Sequence, residues 1–450
     1  MRVWRISRVA VVAAVLAVLA AAGAVYVATS RQGHGHPSTA SGQPVRAPVL
    51  SELTGNSIPN AAGVRDALRH ALTKSGFAAS LSGVVIDSTS GAQLFARDAT
   101  TSVPPASTAK LLTAAAALTT LDREPLETGV ARSGDTVYLV GGGDVTVTAK
   151  PQPGYPPTAT LADLAAKTAT ALGPTSRVRL RYDAGGWTGP SLAKGWSPSY
   201  LSSGNVSALT ALELNEARLT GGATAPRATD PARQAADAFR DALVKAGVQV
   251  VGSPGPATAP ASALGIASVS SPSIPALVQR MLTTSDNDLA EALGRLLARQ
   301  LGQPATFAGA AAAVLAAVEK LGAPTTGVRL YDASGLSRLD RVTPLALVTL
   351  LRIAQRDVRL GPLVEGLPIA GFTGTLADRY RRHPTTVGAG VVRAKTGTLS
   401  GVNALAGQVV DADGRLLLFA FVADHVPLPG PAEESLDSLA SALAGCGCSG

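Results

Sequence analysis

Two hydrophobic periods run along this chain, and the change from one to the other divides it. Apolar residues recur every three to four positions over Ala61–Lys74, which predicts an amphipathic helix. Leu81–Asp87 and 92–96 are short apolar runs on either side of the turn 88–91, which predicts two strands. Pro104-Pro105 then introduces an apolar helix over 106–118. Helical spacing returns at 274–282, 289–301 and 307–321. Three strand signals follow in a row at 390–394, 403–410 and 415–422. The turn 411–414, Asp-Ala-Asp-Gly, joins the last two as a hairpin, and a helix over 431–444 closes the chain. The middle stretch, 121–265, has short strands (Thr136–Val140 and 178–182), glycine runs and many prolines. It reads as an inserted, smaller, strand-rich and loop-rich domain. Helices and consecutive strands mix without a βαβ rhythm, so the expected class is α+β, an antiparallel sheet packed with helices.

The N-terminus has a different pattern. Arg2, Arg5 and Arg8 precede an uncharged run of 22 residues, 9–30. A membrane-spanning helix needs about 20. Residues 1–30 therefore read as an N-terminal membrane anchor or a signal peptide, and 31–48, rich in Gly, Ser, Pro and His, as a linker. The globular part is then a discontinuous domain, 49–120 plus 266–450, carrying the insert 121–265. Either fate of the first segment puts the bulk of the protein outside the cytoplasm, anchored or secreted.

Charge and composition remove other classes. Hydrophobic residues make up 46% and charged residues 16% of the 450, which excludes global disorder. The net charge is +8, but the first 50 residues hold five arginines and no acid, leaving +3 for the rest. With no basic patch interleaved with aromatics, nucleic acid is not an expected partner. The five histidines show no H-E-x-x-H pattern, and the only cysteines are Cys446 and Cys448, so neither a zinc site nor a disulfide framework is expected. The two cysteines read as a mobile tail.

Three short motifs occur in order: Ser107-Thr-Ala-Lys110, Ser285-Asp-Asn287 and Lys395-Thr396-Gly397-Thr398. S-x-x-K recurs at Ser191–Lys194 and S-x-N at Ser203–Asn205, and context separates the copies. Ser107 opens an apolar helix, which puts Lys110 on the same face within reach of the hydroxyl. Ser191 is followed by Gly195-Trp-Ser-Pro198, which breaks a helix, so it reads as a turn residue. Ser285-Asp-Asn287 lies between two helical segments, whereas Ser203-Gly-Asn205 reads as a turn. Lys395-Thr-Gly-Thr398 has no second copy in a chain with only eight lysines, and it follows a strand signal. Gly397 there would let a substrate backbone approach the strand edge. Gly141-Gly142-Gly143 is not followed by G-K-[ST], so it reads as a tight turn and not a phosphate loop.

This Ser/Lys/Ser/Asn/Lys set resembles the penicillin-recognising serine acyltransferases. Leu139-Val-Gly-Gly-Gly-Asp144, Gly185-Gly-Trp187 with Gly195-Trp196, and Tyr331-Asp-Ala-Ser-Gly-Leu-Ser-Arg338 narrow the resemblance to the D-Ala-D-Ala carboxypeptidase/endopeptidase family S13, the class C low-molecular-mass penicillin-binding proteins. The family more often has Gly at the position of Ala333, and the stretch between Lys110 and Ser285 is short for its usual insert. The resemblance implies a penicillin-binding/β-lactamase-like transpeptidase fold and a serine DD-carboxypeptidase acting on peptidoglycan stem peptides, with β-lactams as covalent inhibitors. It implies Ser107 as nucleophile, Lys110 as its base, and Ser285 and Asn287 as proton relay and substrate clamp. The backbone N–H groups of Ser107 and Thr398 would form the oxyanion hole. Lys395 with the Thr396 and Thr398 hydroxyls would bind the terminal carboxylate. Neither a metal nor an organic cofactor is required. A serine β-lactamase and a non-catalytic wall-binding scaffold are the competing readings.

Overall fold

Strands β1 (Leu81–Asp87), β10 (Val402–Val410) and β11 (Leu416–Asp424) are almost uninterrupted apolar runs, and the fold explains why. They form the middle of a five-stranded sheet whose order is β2 (Gln93–Arg97), β1, β11, β10, β9 (Val392–Leu399), antiparallel throughout. Both faces are covered. Even-numbered side chains of these strands (Val84, Ile86, Ala406, Leu418, Ala420) enter one core cluster. Odd-numbered ones (Val85, Leu405, Leu417, Phe419, Phe421) enter another, formed with helices α1 (Ala61–Lys74) and α9 (Pro429–Ala444). A strand with period two and two dry faces must be apolar at every position. Burying Phe419 or Phe421 stabilises the fold by about 1.5–3 kcal/mol each.

The computed structural model describes residues 59–447 apart from 75–79, 122, 155, 175, 223 and 428. The expected N-terminal helix and linker, 1–48, and Cys448 lie outside the described residues. No helix among the described residues is long and apolar enough to cross a membrane.

Helix α2 (Lys110–Thr120) is buried along its first nine residues. A helix apolar all round belongs inside a domain. Packed against it are α5 (Ile274–Thr284), α6 (Asn287–Gln300), α7 (Phe307–Lys320) and α8 (Pro344–Arg356), with α8 also lying on the main sheet. The expected helix 106–118 starts instead as a 3-10 turn, Ala106–Ala109, before becoming α-helical at Lys110.

The middle stretch departs from the sequence expectation. It builds a second sheet, order β6 (Gln249–Val250), β5 (Arg177–Asp183), β4 (Thr136–Val140), β3 (Glu127–Ser133), β8 (Leu264–Ser270), with β7 (Gly255–Pro256) also on β5. Strands β4 and β5 are parallel and joined through α3 (Leu161–Leu172); β5 and β6 are parallel and joined through α4 (Pro231–Lys245). A βαβ rhythm is therefore present here. Its helices were hard to read because alanine carries most of the stripe: Ala232, Ala235, Ala236, Phe239 and Leu243 are the buried face of α4 after Pro231. This sheet has its own core cluster, drawn wholly from residues 130–269. The C-terminal tail also differs from expectation. Cys446 is buried and packs with the α1/α9 core.

Candidate active site

The 3-10 turn that carries Ser107 is held from two sides by glycines. A Cβ on Gly335 would lie 2.0 Å from the Ala106 carbonyl oxygen, and Gly335 has φ +80°. A Cβ on Gly397 would lie 2.9 Å from the Pro105 oxygen and 3.1 Å from the Ala106 Cβ. Gly397 thus permits the close approach of the nucleophile's own turn. Ala106, just before Ser107, has φ +46°, a region non-glycine residues rarely occupy.

Lys110 is completely buried. Its Nζ donates to Ser107 Oγ at 2.9 Å, to Asn287 Oδ1 at 2.6 Å and to the Ser334 carbonyl at 2.7 Å. These bonds tie the first and second motifs to the loop 331–338. Ser285 ends α5 in the left-handed region, φ +60°. Asp286 then caps α6 by accepting from the Leu289 N–H at 3.0 Å. The resulting corner places Ser285 Oγ 2.8 Å from Lys395 Nζ, and Asn287 Nδ2 2.9 Å from the carbonyl of Asn205. The structure therefore forms two hydrogen-bonded sets, Ser107 with Lys110 and Asn287, and Ser285 with Lys395, joined through the Ser285-Asp-Asn287 corner.

The third motif lies inside strand β9, not after it. Strand β9 is the sheet edge beside β10. The Ala394 N–H donates to Pro368, and the Val392 carbonyl accepts from Ala370, so even-numbered residues turn their backbone away from β10. By the same alternation the Thr398 N–H faces the open edge, as an oxyanion-hole donor must. The threonine hydroxyls have protein partners: Thr396 Oγ1 lies 2.8 Å from Thr375 Oγ1, and Thr398 Oγ1 donates to Glu433 at 3.0 Å.

Burial sets the titration of both lysines. It lowers Lys110 to about 8, against the pull of Asp332, Asp286, Glu291 and Asp288. Lys395 is held well below the ordinary lysine range, by burial first, then by Lys110 and Arg379. The two lysines differ in what surrounds them. The carboxylates explain the difference, because they surround Lys110 and not Lys395.

Loop 331–338 supplies parts that sequence reasoning did not single out individually. Asp332 accepts from Trp196 Nε1 at 2.7 Å and from the N–H groups of Gly335 and Ser337 at 2.7 and 2.6 Å. Glu291 Oε1 accepts from the Ala333 and Ser334 N–H groups at 3.0 and 2.9 Å, which aims the Ser334 carbonyl at Lys110. Burial, then Asp332, raises Glu291 to about 7. Helix α6 passes this loop at Gly294, where a Cβ would meet that of Ala333 at 2.6 Å, so the larger residue at 333 faces the smallest one on α6. Gly142 is equally constrained: a Cβ there would sit 1.9 Å from the Glu127 carbonyl oxygen, in keeping with a tight turn. The second S-x-x-K stays outside the group; Lys194 Nζ lies 5.3 Å from the centre of the Tyr331 ring. Asn205, from the second S-x-N, contributes its backbone carbonyl alone among its groups to Asn287.

Comparison with known proteins agrees with this geometry. Residues 64–230 and 221–442 match the D-Ala-D-Ala carboxypeptidase 3 (S13) family. Carboxypeptidase DacB of Mycolicibacterium smegmatis is 36% identical over 383 residues, covering 82% of this chain and 81% of that protein. A D-alanyl-D-alanine carboxypeptidase of an Actinomadura species is 30% identical over 474 residues, covering 85% and 84%. The crystal structure of penicillin binding protein 4 from Haemophilus influenzae shares the fold, with a TM-score of 0.68 at 20% identity, covering 85% of this chain and 98% of that one. The chain belongs to the D-Ala-D-Ala carboxypeptidase 3 (S13) family.

Proposed function

We propose that this protein is a serine D-alanyl-D-alanine carboxypeptidase of peptidoglycan stem peptides, inhibited covalently by penicillins. The observation that carries the reading is the buried Lys110 amine 2.9 Å from Ser107 Oγ. A serine hydroxyl is a poor nucleophile at neutral pH and needs a base in contact with it. Lys110, once neutral, accepts the Ser107 proton as Oγ attacks the carbonyl between the two D-Ala residues. The Ser107 and Thr398 N–H groups receive the oxyanion, each worth roughly 3–4 kcal/mol of transition-state stabilisation. As the C–N bond breaks, the Lys110 ammonium gives the proton back, by way of the Ser285 hydroxyl, to the departing D-Ala amine, while Asn287 holds the substrate amide. Water then attacks the acyl-enzyme, with Lys110 again the base, and frees the shortened peptide and Ser107.

The terminal carboxylate of the substrate binds Lys395 and the Thr398 edge of β9. Its arrival favours a protonated Lys395, and that charge in turn helps Lys110 release its own proton. A cross-link between D-Ala and a diamino acid would be cut by the same steps, which gives endopeptidase action. Glu291 and Asp332 are occupied by backbone N–H groups and so unsuited to fast water activation, which disfavours a β-lactamase. Residues 121–265 form an inserted domain, and 1–30 carry the protein out of the cytoplasm as a membrane anchor or a signal peptide.

The test is intact-mass spectrometry after incubation with benzylpenicillin, followed by peptide mapping. A long-lived adduct on Ser107, absent from Ser107→Ala, is expected. No adduct with the antibiotic intact would favour a non-catalytic scaffold; no adduct with the antibiotic hydrolysed would favour a β-lactamase.

A further inference from the structure

In the proposed reaction strand β9 receives the departing residue, and its two threonine hydroxyls have hydrogen bonds of different kinds. Thr396 Oγ1 lies 2.8 Å from Thr375 Oγ1, and between two hydroxyls either oxygen supplies the proton. With Thr375 as the donor, the Thr396 proton is free for a ligand. Thr398 Oγ1 lies 3.0 Å from Glu433 Oε1, and an ionised carboxylate only accepts. The single Thr398 hydroxyl proton is therefore committed to Glu433. The two positions offer a ligand opposite things: a donor at Thr396 and a carboxylate acceptor beside Thr398.

Both partners are built into the fold. Thr375 belongs to a 3-10 turn, Gly374–Leu376, pressed against the end of α5: a Cβ on Gly374 would lie 2.2 Å from the Thr283 carbonyl oxygen. Glu433 lies near the start of α9 and is partly buried. Its backbone carbonyl accepts from Arg379 Nη2 at 3.2 Å. The same guanidinium donates to both carboxylate oxygens of Asp437, one turn further along α9, at 2.6 and 2.8 Å. Arg379 thus fixes the first turns of α9, while its charge is matched by Asp437. Among the described residues no cation lies within ion-pair distance of the Glu433 side chain. A ligand at this end of β9 therefore meets its charge uncompensated.

We propose that Glu433 sets the leaving-group specificity of this enzyme, favouring a departing residue whose carboxyl group is a carboxamide over one whose carboxyl group is free. The inference rests on the carboxypeptidase reading, which places the departing residue on β9. A carboxamide matches the pair: its oxygen accepts from Thr396 and its N–H donates to Glu433. A carboxylate has no donor. It meets Glu433 as a like charge and obtains the Thr398 proton only after that side chain has swung away. A terminal D-Ala is then cut, but bound weakly. A residue with an amidated carboxyl, such as an amidated diamino acid on the far side of a cross-link, is bound better, and its release is endopeptidase action.

The test compares kcat/KM for a peptide ending in D-Ala-D-Ala with that for the same peptide ending in D-alaninamide, from the release of D-alanine and of D-alaninamide. The wild type cuts the amide with the higher kcat/KM, the difference lying in KM. Glu433→Gln removes the charge and offers the ligand a donor as well as an acceptor, so the ratio of acid to amide kcat/KM rises roughly tenfold. Because the readout is a ratio, a general loss of activity cancels. Glu433→Ala moves the ratio in the same direction. Salt provides an independent readout: about 1 M sodium chloride, which shortens the screening length to about 3 Å, raises the wild-type ratio and leaves that of Glu433→Gln in place. A merely structural role for Glu433 would move neither. A wild type that prefers the acid, or a ratio that both substitutions leave unmoved, would overturn the assignment. A wild type that hydrolyses neither peptide would overturn the carboxypeptidase reading instead.

Discussion

Moving Lys110 from an ordinary 10.5 to about 8 changes how often it can act as a base. At pH 7 about one Lys110 in ten is then neutral, against about three in ten thousand for an unperturbed lysine. Burial has made the base roughly 300 times more available, at a cost of about 3 kcal/mol in holding an ammonium group in the interior. Three hydrogen bonds, to Ser107, Asn287 and Ser334, offset part of that cost. The assay is the second-order rate constant for acylation by benzylpenicillin between pH 5.5 and 9.5, followed by stopped flow. The expected profile rises tenfold per pH unit and levels off near pH 8. Lys110→Met should lower the rate by about 10²–10⁴ and abolish the rising limb. Lys110→Arg should do the same, because it keeps a cation but supplies no base at these pH values. A midpoint near 10.5, or acylation by Lys110→Met within tenfold of wild type, would refute the reasoning. The stability consequence has a definite sign. The folded state binds this proton more weakly than the unfolded state, so this group's contribution rises with pH between about 8 and 10.5 and is at its most unfavourable below 8.

Two further outcomes follow from particular contacts. Asp340 is pushed up to about 11 by burial and by Asp332, so it is neutral in the folded protein at pH 7 while its unfolded counterpart is charged. Its contribution is fully present below about pH 4 and declines as pH rises toward 11. Asp340→Asn should therefore raise the thermal midpoint at pH 8 and converge with wild type at pH 4; a lower midpoint at pH 8 would show that Asp340 is needed as a carboxylate. Gly397→Ala puts a methyl group 2.9 Å from the Pro105 oxygen and so displaces the turn carrying Ser107. Penicillin acylation should slow at least tenfold while stability falls by only about 1–3 kcal/mol, measured by denaturant unfolding; unchanged acylation would mean that the turn tolerates the shift.

The local elements of the catalytic half were legible because their patterns are strong. Strand β1 and helix α1 match the periodicity residue for residue, and β10 and β11 differ from it by one or two residues. The middle stretch misled because its helices bury alanines and its parallel partners, such as the two-residue β6, are too short to show a period. Motif chemistry was equally local: two tetrapeptides and one tripeptide sufficed to nominate Ser107, Lys110, Ser285, Asn287 and Lys395.

The amino-acid sequence by itself determined the inventory of reactive groups, their order and the periodicity of the elements that carry them. All of these depend on residues a few positions apart. The tertiary structure decided what those groups experience. The Ser334 carbonyl on Lys110, the carboxylates that hold its proton, the turn clamped between Gly335 and Gly397, and the Glu433 carboxylate on Thr398 each join segments remote in sequence. Desolvation and charge depend on what packs around an atom in space, and no spacing rule along the chain contains that information.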